Sequence, residues 1–267
     1  MNATALARFG SDYAAHRASE GRGYGGEELL SLPYLTSGPF AQQWTVRARS
    51  FDAFMRHVVR PMAKAANRPL SLLDLGAGNG WLSYRVALEG HQAVALDIRD
   101  DDVDGLGAAG PFLARVPGQI TPVVASFDAL PFEPGSFDVV VFNASLHYAL
   151  DLPAVLGAAA TVARAGGCLA ILDSPVYHRD RDGAAMVEEK KAAATSRFGD
   201  RAETLLALPF VEYLTRTRLR DASTGLGLAW RRWRVPYPLW YELRPIKAAL
   251  LRQRRPSRFD LWTSRVS

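Results

Sequence analysis

One short stretch limits what this chain can fold into. Leu70-Ser-Leu-Leu-Asp-Leu75 is an apolar run of strand length, Gly76-Ala-Gly-Asn-Gly80 follows at once, and WLSYRVALEG then carries helical spacing as far as Gly90. The abrupt change of period across three alternating glycines reads as strand, tight turn and helix, and Gly90 supplies the left-handed backbone that stops the helix. The alternation continues along the chain. Ala93 to Asp97, Ile120 to Ala125, Phe137 to Asn143 and Cys168 to Asp173 are four more strand-length runs, and the alanine-rich segment Asp151–Arg164 is a helix ended by Gly166 and Gly167. Val, Ile and Leu strands separated by helices have both faces covered, which means a parallel sheet.

With Gly227–Val235 and Arg258–Trp262 as two closing strands, the expected fold is α/β: a doubly wound, Rossmann-like, mostly parallel seven-stranded sheet. Ahead of it, residues 40–66 place Phe40, Trp44, Phe51, Phe54, Met55, Val58 and Val59 on one helical face, with Pro61 expected to kink or break the helix. Residues 184–197 and 205–222 are expected to be helices. The organisation expected is an N-terminal helical cover over residues 1–69 and one domain over 70–267, with a cap insertion after strand five at about 176–225.

Composition excludes several classes. With 48% hydrophobic and 22% charged residues among 267, the chain can bury a core and is neither disordered nor fibrous. The single Cys168 excludes an internal disulfide and a cysteine metal cluster, so no metal is expected. The N-terminus lacks the apolar core of a signal peptide, and Arg164 interrupts the most apolar region, Leu152 to Leu172. A soluble, cytoplasmic protein is therefore expected. Charge is uneven: residues 1–175 carry 13 basic and 17 acidic side chains, whereas 176–267 carry 19 and 10. Such a basic third suits an anionic substrate, a membrane surface, nucleic acid or a plain solvated face. Arg231, Arg232 and Arg234 fall on a strand with alternating faces, which disfavours a nucleic-acid groove.

In an open parallel sheet, ligands bind beyond the carboxyl ends of the strands, where strand order reverses, and the first strand–helix turn forms the floor. A dinucleotide fingerprint there needs a third small residue, G-x-G-x-x-G or Ala, and this chain has Trp81 at that place. The P-loop pattern is absent as well. What stands instead is Asp74-Leu-Gly76-Ala-Gly78-Asn-Gly80, followed by an acid, Asp97, at the end of the second strand.

This arrangement resembles the class I S-adenosylmethionine-dependent methyltransferases, whose first motif has the form D/E-x-G-x-G-x-G. The resemblance runs from about Ser71 to Asp173. It implies binding of S-adenosylmethionine, with S-adenosylhomocysteine as product, by Asp74, Gly76, Ala77, Gly78, Asn79 and Gly80 in the loop and by Asp97 and Ile98 beyond the second strand. The cofactor has no phosphate, so bare backbone near its amino-acid moiety suffices, and the Asp97 carboxylate can accept from both ribose hydroxyls. Ser126-Phe127-Asp128 begins a segment similar to the family's G-D-A-x-x-L-P-F stretch. The usual adenine-binding acid is replaced by Ser126, so Ser126, Phe127 and Asp128 together are the adenine-contacting candidates. Asn143 closes the cofactor-side set.

The fourth strand ends Asn143-Ala-Ser-Leu-His147-Tyr148. Without the N/D/S-P-P-Y/F/W pattern of nucleobase and glutamine methyltransferases, this is similar to the small-molecule branch. His147 is the only histidine at a predicted strand end and is the candidate general base. By family analogy Tyr13, Arg17, Tyr24 and Trp44 on one side, and Tyr177, His178 and the 184–197 helix on the other, form the lid, with Arg17 or Arg22 facing the cofactor carboxylate. The resemblance thus implies methyl transfer to a small-molecule acceptor, with an anionic one suggested by the basic third. An RNA or protein methyltransferase and a non-catalytic cofactor-binding accessory protein stand as alternatives.

Overall fold

The computed structural model describes residues 10, 21, 23–198 and 208–267. Tyr13, Arg17, Arg22 and the first residues of the expected 205–222 helix lie outside the described residues. The strands are β1 (Ser71–Leu75), β2 (Gln92–Asp97), β3 (Ile120–Val124), β4 (Phe137–Asn143), β5 (Ala163–Leu172), β6 (Val176–Tyr177), β7 (Leu214–Thr215), β8 (Arg231–Trp233) and β9 (Leu261–Arg265). Seven of them form one sheet in the order β3-β2-β1-β4-β5-β9-β8, while β6 and β7 pair separately. The first five are parallel, β9 runs antiparallel beside β5, and β8 pairs antiparallel with β9, returning to the direction of the first five. Strand order reverses between β1 and β4, which locates the ligand crevice at their carboxyl ends.

Both faces of the sheet are covered. Along β4, Val139 and Val141 pack into the layer formed by the N-terminal helices, and Val140 and Phe142 into the layer that holds the Leu152–Val162 helix. Cys168 lies in the first layer, and burial pushes its thiol up to about 11. At the opposite end from the crevice, one carboxylate ties three strands together. Asp138 accepts from the Arg68 guanidinium at 2.7 and 2.8 Å, from Arg164 at 2.8 Å and from the Ser71 N–H at 2.8 Å. Burial alone would raise this acid, but the four donors outweigh it and hold it at about 2.

Several boundaries differ from the sequence expectation. Residues 41–66 remain helical through Pro61, because a wide π turn at Met55–Val59 absorbs the break and leaves the proline in the first turn of Arg60–Ala66, where its missing N–H costs little. The helix from Leu152 stops at Val162, and Gly166 and Gly167 belong to a kink inside β5, where Gly166 has a φ of 76°. The polar helix runs longer than expected, Asp180–Phe198, the first closing strand is shorter, and the second lies three residues later, at Leu261–Arg265. Of the expected 205–222 helix, the described part is irregular up to β7 and helical only over Arg216–Ala222.

Gly76 shows what the loop demands. Its φ is 74°, and a Cβ there would sit 2.4 Å from the Ser145 Cβ. Gly90 has a φ of 85° with open space around it. Gly76→Ala should therefore cost about 2–4 kcal/mol, strain plus overpacking, whereas Gly90→Ala should cost about 1 kcal/mol. Urea unfolding followed by circular dichroism measures both, and equal losses would show that Ser145 moves aside freely.

Candidate active site

At the reversal point lies a cavity of about 590 Å³. Its floor is the glycine loop, its first wall the ends of β2 and β3, and its second wall the ends of β4 and β5. Gly76, Ala77, Gly78, Asn79, Asp97, Ile98, Ser126, Phe127, Asp128, Asn143 and His147 all line it. Asp74 and Gly80 do not. Asp74 sits fully buried behind the loop, accepts from the Ser83 hydroxyl at 3.1 Å, and is pushed by burial up to about 7. Gly80, with a φ of 81°, turns the chain into the Trp81–Ala87 helix. These two shape the loop from behind.

Asp97 anchors the loop. One of its oxygens accepts from the Gly78 N–H at 2.7 Å and the other from the Arg99 N–H at 3.0 Å. Each oxygen keeps lone-pair capacity toward the cavity, and burial raises the acid above its ordinary range despite both donors. Asn79, by contrast, spends its amide on the protein: Oδ1 accepts from the Trp81 N–H and Nδ2 donates to Asp104. Beyond β3 the Ser126 hydroxyl donates to Asp128 at 2.9 Å. That engages the serine hydrogen and leaves the Asp128 carboxylate as the acceptor facing outward.

Trp81 stands where a dinucleotide site has a small residue. Its indole is 5.7 Å, edge to face, from both Trp44 and Phe51 of the N-terminal helix, and Trp44 donates to the Tyr24 hydroxyl at 2.7 Å. The N-terminal helices thus grip the loop through this ring. Tyr24 and Trp44 reach the cavity as expected. Tyr177 and His178 do not: Tyr177 is buried against Tyr213 and the guanidinium of Arg254.

Past the glycine loop, three polar atoms on the cavity wall are buried with no partner: Asn143 Oδ1, His147 Nδ1 and Asp173 Oδ2. The residues turning the chain after β4 and β5, Ala144 and Asp173, both have left-handed backbone, with φ of 57° and 49°. Such strain concentrates at functional sites. The expected base at His147 meets an opposing environment. Burial, with Lys190 and Arg47 adding positive potential, drives the imidazole down to about 3, so it stays neutral and is a weak proton acceptor. Asp173 behaves in the opposite way, burial pushing it up to about 6 against the pull of Arg47 and Ser50. Its other oxygen accepts from the Ser50 hydroxyl at 2.5 Å, Ser50 meets the Tyr237 hydroxyl at 2.7 Å, and Tyr237 donates to the Phe259 carbonyl. Sequence inspection missed Asp173 as a site residue, although an acid closing a parallel strand is the same signal that marked Asp97. Arg47, Tyr148, Phe210, Trp240, Tyr241 and Arg244 complete the wall and were also missed, because they come from distant segments.

A reversed parallel sheet, a glycine loop on the first turn and a carboxylate ending the second strand define a Rossmann-like nucleoside-binding fold without phosphate recognition. Over residues 73–171, less than half of its length, this chain matches the family model described as "Methyltransferase domain", which supports the resemblance to S-adenosylmethionine-dependent methyltransferases there. Over 105 residues it is 33% identical to a ubiquinone/menaquinone biosynthesis C-methyltransferase of Rhizobium leguminosarum bv. trifolii, covering 38% of this chain and 40% of that protein. The alignment therefore spans less than half of either protein. Among solved structures, geranyl diphosphate C-methyltransferase from Streptomyces coelicolor, in complex with Mg2+, geranyl diphosphate and S-adenosyl-L-homocysteine, superposes with a TM-score of 0.55 at 14% identity, covering 86% of this chain and 87% of that one. The 1,6-didemethyltoxoflavin-N1-methyltransferase of Burkholderia thailandensis superposes with a TM-score of 0.51 at 18% identity, covering 86% and 91%. At these identities the structures speak for the fold.

The loop fits this cofactor on its own geometry: bare backbone at Gly76 and Gly78, a carboxylate with spare acceptor capacity at Asp97, and the unpartnered Asn143 Oδ1 between floor and wall. Asp97→Ala should weaken S-adenosylhomocysteine binding about 10- to 100-fold, the loss of charge-assisted hydrogen bonds of roughly 1.5–3 kcal/mol. Isothermal titration calorimetry measures this, and unchanged affinity would remove Asp97 from the cofactor set.

Proposed function

We propose that this chain transfers the methyl group of S-adenosylmethionine to a protic oxygen or nitrogen of a small-molecule acceptor, with Asp173 receiving the acceptor's proton. The observation that carries this reading is a buried carboxylate that faces the cavity with one oxygen unpartnered. When bound, the cofactor supplies an electrophilic sulfonium methyl. What this chain adds is orientation, exclusion of water and a place for the proton. Asp74, Gly76, Ala77, Gly78, Asn79, Gly80, Asp97, Ile98, Ser126, Phe127, Asp128 and Asn143 are the proposed cofactor side, with Asp74, Asn79 and Gly80 shaping the loop.

The chain of Ser50, Tyr237 and the Phe259 carbonyl holds Asp173 in place through Oδ1 and leaves Oδ2 to receive the proton. An acid lifted to about 6 also balances being ionised at neutral pH against being basic enough to accept. His147, neutral throughout, suits a hydrogen-bonding role toward the acceptor through its buried, unpartnered Nδ1.

The acceptor compartment suits a flat or apolar body. Tyr148 and Phe210 meet edge to face at 5.5 Å, and Trp240 and Tyr241 at 5.9 Å. Arg47 and Arg244 in the same wall suit an acceptor that carries an anionic group. No helix among the described residues is long and apolar enough to cross a membrane. The free, buried Cys168 fits a reducing, cytoplasmic compartment, which we propose as the location.

Asp173→Asn should keep S-adenosylhomocysteine affinity and lower kcat about 10²- to 10⁴-fold on any turned-over member of a panel of phenols, carboxylic acids and amines. In the unaltered chain, kcat/KM should fall about tenfold per pH unit below about 6, as Asp173 becomes protonated and ceases to accept. His147→Gln should leave that inflection in place. A full rate for Asp173→Asn, or an inflection that moves with His147→Gln, would transfer the role away from Asp173.

A further inference from the structure

The segment Leu239–Leu250, two short helices (Leu239–Glu242 and Arg244–Leu250) joined through Leu243 in right-handed helical backbone, is built inside out. Its inward positions include Tyr241 and the small Ala248, while its bulkiest aliphatic side chains point to solvent. Six of the nine large hydrophobic side chains exposed among the described residues fall within Leu239–Leu251, with Leu239 at 72% and Leu250 at 81% exposure. The other three, Tyr34, Leu88 and Val124, are scattered. Single exposed leucines are ordinary, but a contiguous group on one short element is a surface awaiting a partner.

The charge around the patch identifies that partner's sign. Lys247, Arg252 and Arg255 are exposed, and their side chains form no ion pair among the described residues. Other arginines of the basic third are neutralised internally: Arg258 pairs with Glu242 and Asp260, and Arg232 with Asp260. Three such cations, Lys247, Arg252 and Arg255, thus lie in sequence within or just beyond the apolar patch. A second copy of this chain docked symmetrically would set these cations against their own copies, which is repulsive. Four leucines, an isoleucine and a tryptophan beside lysine and arginine have the composition of a helix that lies in the lipid interface, whereas leucine is scarce among the residues that anchor protein partners.

Trp240 joins the patch to the site. It is 43% exposed on this segment and also lines the cavity, next to Tyr241 and Arg244. We propose that the Leu239–Leu251 helical segment docks on an anionic lipid surface, with the leucines entering the headgroup boundary and the cavity mouth held at the interface. Taken with the methyltransferase reading, on which this step rests, the acceptor class is an amphiphile that partitions into the bilayer and reaches the cavity past Trp240.

Flotation of the full chain with phosphatidylcholine vesicles, and with vesicles in which a third of the lipid is phosphatidylglycerol, tests the docking without any catalytic assay. Binding should be at least about tenfold stronger to the anionic vesicles and should weaken with added salt. The pair Ile246→Glu and Leu250→Glu should abolish it. Lys247→Glu with Arg252→Glu should weaken it by about fivefold or more per residue. Neither pair touches the cavity, so both should bind S-adenosylhomocysteine as the unaltered chain does. Retained cofactor binding without flotation, flotation indifferent to the glutamates, or a dimer in sedimentation that Leu250→Glu dissolves, would each overturn the docking. Loss of cofactor binding by the unaltered chain would instead strike the methyltransferase reading.

Discussion

The crevice depends on two strand ends being allowed to touch. Where β1 leaves the sheet, Gly76 offers no side chain, and Ser145 from the loop after β4 occupies that space and donates its hydroxyl to the Leu75 carbonyl. With those two loops zipped together, the chain after β1 must turn toward β2 and the chain after β4 toward β5. Space opens between them. Asp97 then fixes the far side of the same loop through the Gly78 N–H. The loop is held at both edges and backed by Trp81, and the N–H groups of Gly76, Ala77, Gly78 and Gly80 are spent on Leu96, Asp97 and Ala77, so its shape is set before any ligand arrives, which is how a preorganised site avoids ordering entropy on binding.

How much of this was legible in the chain follows from range. The strands, the glycine turn and Asp97 are local patterns, each set by a handful of neighbouring residues, and they emerge where expected. Trp81 was informative in the negative: it ruled out a dinucleotide, but only the fold shows that the indole is held by Trp44 and Phe51. His147 illustrates the opposite case. Its position was legible, yet its chemistry depends on burial and on Lys190 and Arg47, which come from elsewhere in the chain. Asp173 was visible as a residue but not as a site, since its meaning lies in Ser50 and Tyr237, 123 and 187 residues distant from Asp173 and Ser50 respectively. Pro61 misled because a propensity rule assumes an ordinary helix, and the π turn ahead of it is a tertiary accommodation.

The excess positive charge of the last third resolves into two populations. Arginines such as Arg258 and Arg232 are structural, locked onto Asp260, just before β9, and Glu242, at the end of the first short helix. Burial opposes the charge of Arg258, and its carboxylate partners outweigh that, raising its pKa. Others, Lys247, Arg252 and Arg255 among them, carry no such pair among the described residues and stand at the surface near the exposed leucines. A net charge counted along the sequence cannot separate the two, because pairing is a property of the fold.

Cys168 offers one consequence of a different kind. It lies inside the central sheet, its thiol shielded by the N-terminal layer and held protonated by burial at any ordinary pH. Reaction with a thiol reagent requires the thiolate and access together, and both appear only when β5 separates from its covering layer. As the sole cysteine in 267 residues, it makes the chain its own single-site clock for opening of the core, with no engineered label.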